Sequence, residues 1–338
     1  MSLDSRSTIN DSRPGRSCPL SYRYSAAALA REPEIVADTL YLVGGLYGNR
    51  AALASVLDLA RLERGHTTVV FNGDFNWFNV DPEGFEAINR AVLGHIAMRG
   101  NVETELAEDD PSAGCGCAYP DWVSDAEVAR SNAIINRLRD TSRAFSELRT
   151  RLGRLPATAT ARVGATRIAI VHGDAESLAG WGFCQEILDD PGQRSRITQW
   201  FEEARVNIFA SSHTCLPVMC DFGEDRMLVN NGAAGMPNFR ATRYGVITRI
   251  SAASEATSRV LYSRHVGDTR IAALAVHYDT ARFEREFLAN WGDMSPAHAS
   301  YYRRITSGPD YSSEQVLRHY ALPRGRARLD PSSQETQI

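Results

Sequence analysis

Val43-Gly44-Gly45-Leu46-Tyr47-Gly48-Asn49-Arg50 follows the apolar run TLYL (39–42) and leads into AALASVLDLARLE (51–63). An apolar run, a glycine-rich turn and a segment with apolar residues three and four apart are the parts of a strand–turn–helix unit. In an α/β protein such a turn normally holds chemistry, because backbone N–H groups and the helix dipole converge there. This one contains no acid and no histidine.

The same pattern recurs outward from this turn. Strands are expected at Thr39–Gly44, Thr67–Asn72, His95–Arg99, Arg167–His172, Asn207–Ser212, Met227–Asn230, Val246–Ile250 and Arg259–Tyr262. Helices fit Arg50–Arg64, Pro82–Val92, Asp125–Arg139, Ser142–Leu152 and Arg194–Arg205. Strand and helix in alternation argue for α/β layers. Residues 1–36 are polar and aperiodic, which predicts a loosely attached arm. The α/β domain spans 37–264, and within it 105–120, rich in Asp, Ser, Gly and Cys, reads as an inserted surface loop or lid. Residues 265–321 turn helical in ALAVHYDTARFEREFLANW, SPAHASYYRRI and SSEQVLRHYAL, predicting C-terminal helices packed on the domain; 322–338 form a polar, disordered tail.

With 338 residues, 43% of them hydrophobic, the chain can bury a large core. A net charge of −4 argues against a nucleic-acid partner. No apolar run approaches membrane-spanning length and the N-terminus lacks a secretory apolar centre, so the expected address is the cytoplasm. Six cysteines are too sparse for a disulfide scaffold, and Cys115-Gly-Cys117 is not expected to close on itself; all six are read as reduced thiols.

Polar residues cluster at successive strand ends, where open α/β sheets bind ligands. They are Asp74 in GDFN, Asn101 in GNVE, His172 in HGD and His213 in SHTC. One carboxylate, one amide oxygen and two imidazoles suit Mn, Fe, Zn or Ni. These stretches, with GLYGN before them and VNNGAAGMPNFRATRYGVI after, resemble in order and interval the motifs of the calcineurin-like metallophosphoesterases, in their small bacterial phosphodiesterase branch. The resemblance covers roughly Asp38 to Arg264. It implies a four-layer α/β sandwich, two mixed sheets face to face with helices outside, and a two-metal centre.

The resemblance also interprets the bare turn. Where the family's first motif supplies an Asp and a His to one metal, this chain has Gly45 and Tyr47, and where its last motif supplies a second His there is Cys215. Asp74, Asn101, His172 and His213 match the ligands of the other metal, which implies one divalent ion rather than two. Val102 stands where the family carries the histidine that protonates the leaving group. Tyr47 is then a candidate donor of a proton or hydrogen bond, Glu103 a candidate acid if burial raises its pKa, and Asn49, Arg240 and Arg243 candidate phosphate contacts. Cys215, Cys115 and Cys117 are candidate replacement ligands. Asp174 either orients an imidazole or caps a turn, and Trp77, Phe78 and Trp181 either stack on a base or belong to the core. Two functions remain open. One is a metal-dependent phosphoesterase acting on a small phosphate-containing ligand. The other is a non-catalytic relative that binds a nucleotide or phosphate as a sensor or partner-binding module.

Overall fold

Leu40 and Leu42 face one way and Tyr41 and Val43 the other, yet all four are buried. Strands covered on both faces read as unbroken apolar runs, and here each face packs a different layer. The computed structural model describes residues 13–252, 256 and 258–320. Its strands are β1 Ile35–Ala37, β2 Thr39–Val43, β3 Thr67–Asn72, β4 Ile96–Met98, β5 Thr158–Val163, β6 Thr166–Val171, β7 Ile208–Ser211, β8 Pro217–Gly223, β9 Arg226–Asn231, β10 Gly245–Ser251, β11 Val260–Val266, β12 Thr269–Val276 and β13 Leu317–His319. Its helices are α1 Arg50–Leu62, α2 Pro82–Val92, α3 Asn101–Ala107, α4 Asp125–Ser142, α5 Ser146–Gly153, α6 Pro191–Ala204, α7 Thr280–Asn290 and α8 Pro296–Ser307.

Two mixed sheets result, a seven-stranded one ordered β1-β5-β6-β7-β9-β8-β13 and a six-stranded one ordered β11-β12-β10-β2-β3-β4. Leu40, Leu42, Val70, Ile168, Ile170, Ile208 and Val229 fill the space between them. Tyr41, Val43, Val69 and Phe71 point outward beneath residues of α1, α2, α4 and α7. Ala169, Val171, Phe209 and Leu228 point outward on the other side against α6. The expected four-layer sandwich of two mixed sheets flanked by helices is what forms.

Three boundaries differ from the sequence reading. Residues 13–36 are not a loose arm: Tyr22, Ala26 and Leu29 are buried, and β1 pairs in parallel with β5. Arg16 fastens this segment by donating to the carbonyls of Pro120 and Val123 at 2.8 and 2.7 Å. The apolar run opening ALAVHYDTARF is strand, not helix; Ala273–Val276 close β12, which pairs with β10, so the expected division at 264/265 falls inside the β11–β12 hairpin. A short apolar run fits a buried strand and a buried helix equally, and the partner strand decides. In SSEQVLRHYAL, residues Leu317–His319 form β13 alongside β8. The 322–338 tail and residues 1–12 of the arm lie outside the described residues. Among the described residues no helix is long and apolar enough to cross a membrane.

A charged group is buried on the outward face of the six-stranded sheet. Arg249 donates from Nε and Nη2 to the two carboxylate oxygens of Glu63, at 2.6 and 3.0 Å, and the Tyr41 hydroxyl donates to the same carboxylate at 2.6 Å. Replacing Arg249 with leucine leaves that carboxylate without its counter-charge, and stability is expected to fall by about 3–5 kcal/mol. A fall below about 1 kcal/mol in urea unfolding, the scale of a surface pair, would show that the charge is effectively solvated.

Candidate metal centre

β2, β3, β4, β6 and β7 end on the same side of the two sheets, so the turns that follow them meet. Asn72 ties the sheets together at this edge. Its side chain donates to the Val171 carbonyl at 2.9 Å, and its own carbonyl accepts from the Ser212 hydroxyl at 2.7 Å and from His172 Nδ1 at 3.0 Å. The turns hold non-glycine residues in the left-handed region, Tyr47, Asp74 and Cys215 among them, and such backbone strain gathers at functional sites.

Asp74, Asn101, His172 and His213 come together. His172 Nε2 lies 3.3 Å from Asp74 Oδ2, 3.1 Å from Asn101 Oδ1 and 3.2 Å from His213 Nδ1. One ligand atom each from Asp74, His172 and His213 fall within 4.8 Å of one another, and all three residues are buried. The remaining polar atom of each residue is anchored elsewhere. A main-chain carbonyl only accepts, so the hydrogen of His172 resides on Nδ1, facing Asn72 O, and that of His213 on Nε2, facing Cys117 O at 3.1 Å. The Asn101 amide nitrogen donates to Cys115 O at 2.9 Å, which turns Oδ1 inward, and Asp74 Oδ1 accepts from Val102 N–H at 3.2 Å, leaving Oδ2 to face His172 Nε2. Four lone pairs therefore face one point. Such a set is suited to a cation, with the tautomers fixed from behind in the manner of metal sites.

Without an ion, Asp74 favours a proton on His172, which a bound cation would displace. Burial opposes charge on His172, but the Asp74 carboxylate outweighs it and holds the imidazole above its ordinary value. Burial, then the neighbouring His172, push His213 down to about 4, so it stays neutral. Burial works to raise Asp74, yet the two imidazoles and Val102 N–H hold it low, so its carboxylate is charged.

The other half of the predicted centre is filled. Gly45 has φ +64, and a Cβ placed on it would stand 2.9 Å from the Tyr47 ring. Tyr47 is buried and its hydroxyl meets Cys215 Sγ at 2.7 Å, while the thiol also approaches His213 O at 3.2 Å. Ring and thiol occupy the region on that side of Asp74, and burial pushes both their pKa values up, so both stay protonated.

Several candidates take other roles. Glu103 is fully buried and accepts from the N–H groups of Asp74, Phe75, Asn76 and Gly100 at 2.7, 3.1, 3.3 and 3.0 Å, and from the Asn76 amide at 3.2 Å. Burial and then the Asp74 charge push it up to about 7, but every neighbour is a donor, which makes it the fastening of the Asp74 and Asn101 turns rather than a proton donor. Asn49 caps α1, accepting from Ala52 N–H at 2.9 Å and donating to Gly235 O at 3.0 Å. Arg240 pairs with Asp310 and Arg243 with Glu284 on the surface, away from the centre. Asp174 accepts from Glu176, Ser177 and Gly182 N–H groups and organises its own loop.

The 105–120 segment is only partly a surface loop. Residues 108–112 are exposed, but Ala113 to Cys117 are buried, and Cys115 and Cys117 are paired in a disulfide rather than reduced. Gly114 and Gly116, both at φ +65, fold the chain tightly enough to bring the two Cα atoms to 5.3 Å. Their sulfurs are thus not replacement ligands; their carbonyls orient Asn101 and His213. Main-chain groups leave no mark in a sequence, so this contribution had no legible signal.

No known family's sequence profile matches the chain, and no curated protein matches it in sequence. In structure it is similar to a hypothetical protein from Pyrococcus horikoshii OT3, with 18% identity, a TM-score of 0.55, and coverage of 82% of this chain and 100% of the other. It is also similar to a metallophosphoesterase from Sphaerobacter thermophilus, with 16% identity, a TM-score of 0.48, and coverage of 74% and 93%. At these identities the likeness is one of fold.

Because Glu103 holds both ligand turns, Glu103→Gln, which places an amide N–H against backbone N–H groups, is expected to weaken divalent-ion binding by about 10–100-fold. Titration calorimetry with Mn²⁺ or Zn²⁺ reads this directly. Unchanged affinity would return Glu103 to the list of proton donors.

Proposed function

We propose that the chain is a calcineurin-like metallophosphoesterase with a single-ion centre that hydrolyses small phosphate esters. The observation carrying this reading is the convergence of four anchored lone pairs beside a half-site filled by Tyr47 and Cys215. Asp74, Asn101, His172 and His213 would hold a divalent Mn, Fe, Zn or Ni ion. When bound, the ion supplies Lewis-acid polarisation of a phosphoryl oxygen.

The chain's own residues set what kind of ester suits the site. Val102 is buried and borders the pocket where an acid would stand to protonate the departing oxygen. Tyr47 does not replace it, since its hydroxyl is engaged by Cys215 and burial holds its proton tightly. General acid catalysis is worth about 10²–10⁴-fold, so esters whose leaving group departs as a stable anion are favoured by about that factor over alkyl esters. The polar second atoms of the ligands are all satisfied by protein groups, so the site is organised before substrate arrives.

The purified protein is expected to bind one divalent ion per chain and to hydrolyse 4-nitrophenyl phosphate or its diester, with Asp74→Ala and His213→Ala abolishing both. Tyr47→Phe should leave turnover within about twofold, since the acid contribution of about 10²–10⁴-fold is already absent. Metal binding without hydrolysis of any ester would favour the phosphate-sensing alternative, and no metal binding at all would sink both the ion and the enzyme.

A second expectation concerns the filled half-site. Gly45→Asp alone is disfavoured because the Tyr47 ring occupies the space. The combined Gly45→Asp, Tyr47→His, Cys215→His variant removes the ring and supplies three ligands, and elemental analysis should then find two ions per chain. A stoichiometry still at one would mean that the space is closed by more than these side chains.

A further inference from the structure

The pocket lined by Asp74, Asn101 and His213 has a volume of about 180 Å³, and one charged group in its wall is not used by the metal reading. Arg304, from α8, reaches it from the C-terminal side. Its Nε donates to Pro237 O at 3.0 Å and one terminal nitrogen to Cys215 O at 2.7 Å, two residues beyond His213. The other terminal nitrogen makes no hydrogen bond to any described residue, and no described carboxylate lies within ion-pair distance of the guanidinium, unlike Arg240 and Arg243. Burial pushes the Tyr47, Cys215 and Tyr301 groups upward, and at all three the Arg304 charge opposes it, so the cation stands among them. A rigidly held, half-buried cation without a counter-ion beside a site for a phosphate ester is a ready anion contact.

The walls of the same pocket are aromatic. Trp77 and Tyr301 meet edge to face at 6.5 Å, and Tyr119 and Trp181 lie 5.7 Å apart, with Trp181 packed against His213 at 5.5 Å. Trp181 is fixed by donating its ring N–H to Cys117 O at 2.9 Å. A cavity of about 150 Å³ admits a single benzene ring. This pocket is of that scale.

We infer that the site takes a phosphate ester whose alcohol carries one planar ring, with Arg304 gripping the phosphate and Trp77, Tyr119, Trp181 and Tyr301 enclosing the ring. The inference rests on the phosphoesterase reading and narrows it to aryl esters. It agrees with Val102, because a phenolate departs without the proton that an alkoxide requires.

The test uses phenylphosphonate and methylphosphonate, which the protein cannot hydrolyse, titrated calorimetrically into the Mn²⁺-loaded protein. Phenylphosphonate is expected to bind about tenfold or more tighter than methylphosphonate, the scale of aromatic stacking. Arg304→Gln should weaken both by about tenfold or more, Arg304→Lys should restore most of the loss, and Tyr301→Leu should weaken only the phenyl compound. Circular dichroism of each variant guards against misfolding, since Arg304 also braces two carbonyls, and the lysine variant separates lost charge from lost bracing. Equal binding of the two phosphonates, or no effect of Arg304→Gln in a folded protein, would overturn the inference. Because binding is read without turnover, a protein that shows this pattern yet never hydrolyses 4-nitrophenyl phosphate would retain the ligand class while losing the enzymatic reading.

Discussion

The hydrogen bond from His172 Nδ1 to the Asn72 carbonyl joins the two sheets and decides what the site can bind. It crosses from the end of β6 to the end of β3, so it forms only when the sandwich is closed. By placing the hydrogen on Nδ1 it turns Nε2 inward, and Nε2 is the atom around which acceptor atoms of Asp74, Asn101 and His213 gather. Without that bond the imidazole could turn over and present an N–H, and the gathering of acceptors would become a donor among acceptors. Folding and ligand affinity are therefore coupled at one contact, which is why the bond is flanked by redundant support from Ser212 and from the Asn72 amide.

On the metallophosphoesterase reading, the side of the site filled by Tyr47 and Cys215 differs from the family's motifs in shape as much as in chemistry. Removing an Asp and two His from a buried site would leave a void and unpaired groups, both costly. Here the glycine at 45 makes room for the ring at 47, and the ring's hydroxyl finds the sulfur at 215. Each of the three changes satisfies what the others leave open.

Much of this was legible in the sequence, and the failures share a cause. Asp74, Asn101, His172 and His213 each follow an apolar run and adjoin a small residue, so strand ends and ligand types could be read locally. Arg304 could not, because SPAHASYYRRI carries no motif and only the docking of α8 brings that arginine to the pocket. Cys115 and Cys117 act through main-chain carbonyls, which every residue possesses. Residues 13–36 looked unstructured because their few large apolar side chains, Tyr22 and Leu29, lie in short turns without period. Glu103 reads as an acid only through a pKa raised by burial; that its oxygens face N–H groups is a fact of the folded turns. What sequence withholds is the orientation of polar groups relative to partners far along the chain.

Charge accounts for the coherence of the remaining site. Gly45, Tyr47 and Cys215 add no charge to the site, since burial keeps the protons on the Tyr47 hydroxyl and the Cys215 thiol. Asp74, the surviving carboxylate, faces the imidazoles, and Glu103 is enclosed by N–H groups. The pocket above them is thus not flooded with negative charge that would repel a phosphate. Arg304 stands at its wall without a carboxylate of its own. If the site takes an anionic phosphate ester as inferred above, a fixed cation there would neutralise it without being lost to solvent. On the proposed single-ion reading, an arginine at the rim suits the site to binding an ester whose leaving group needs little activation.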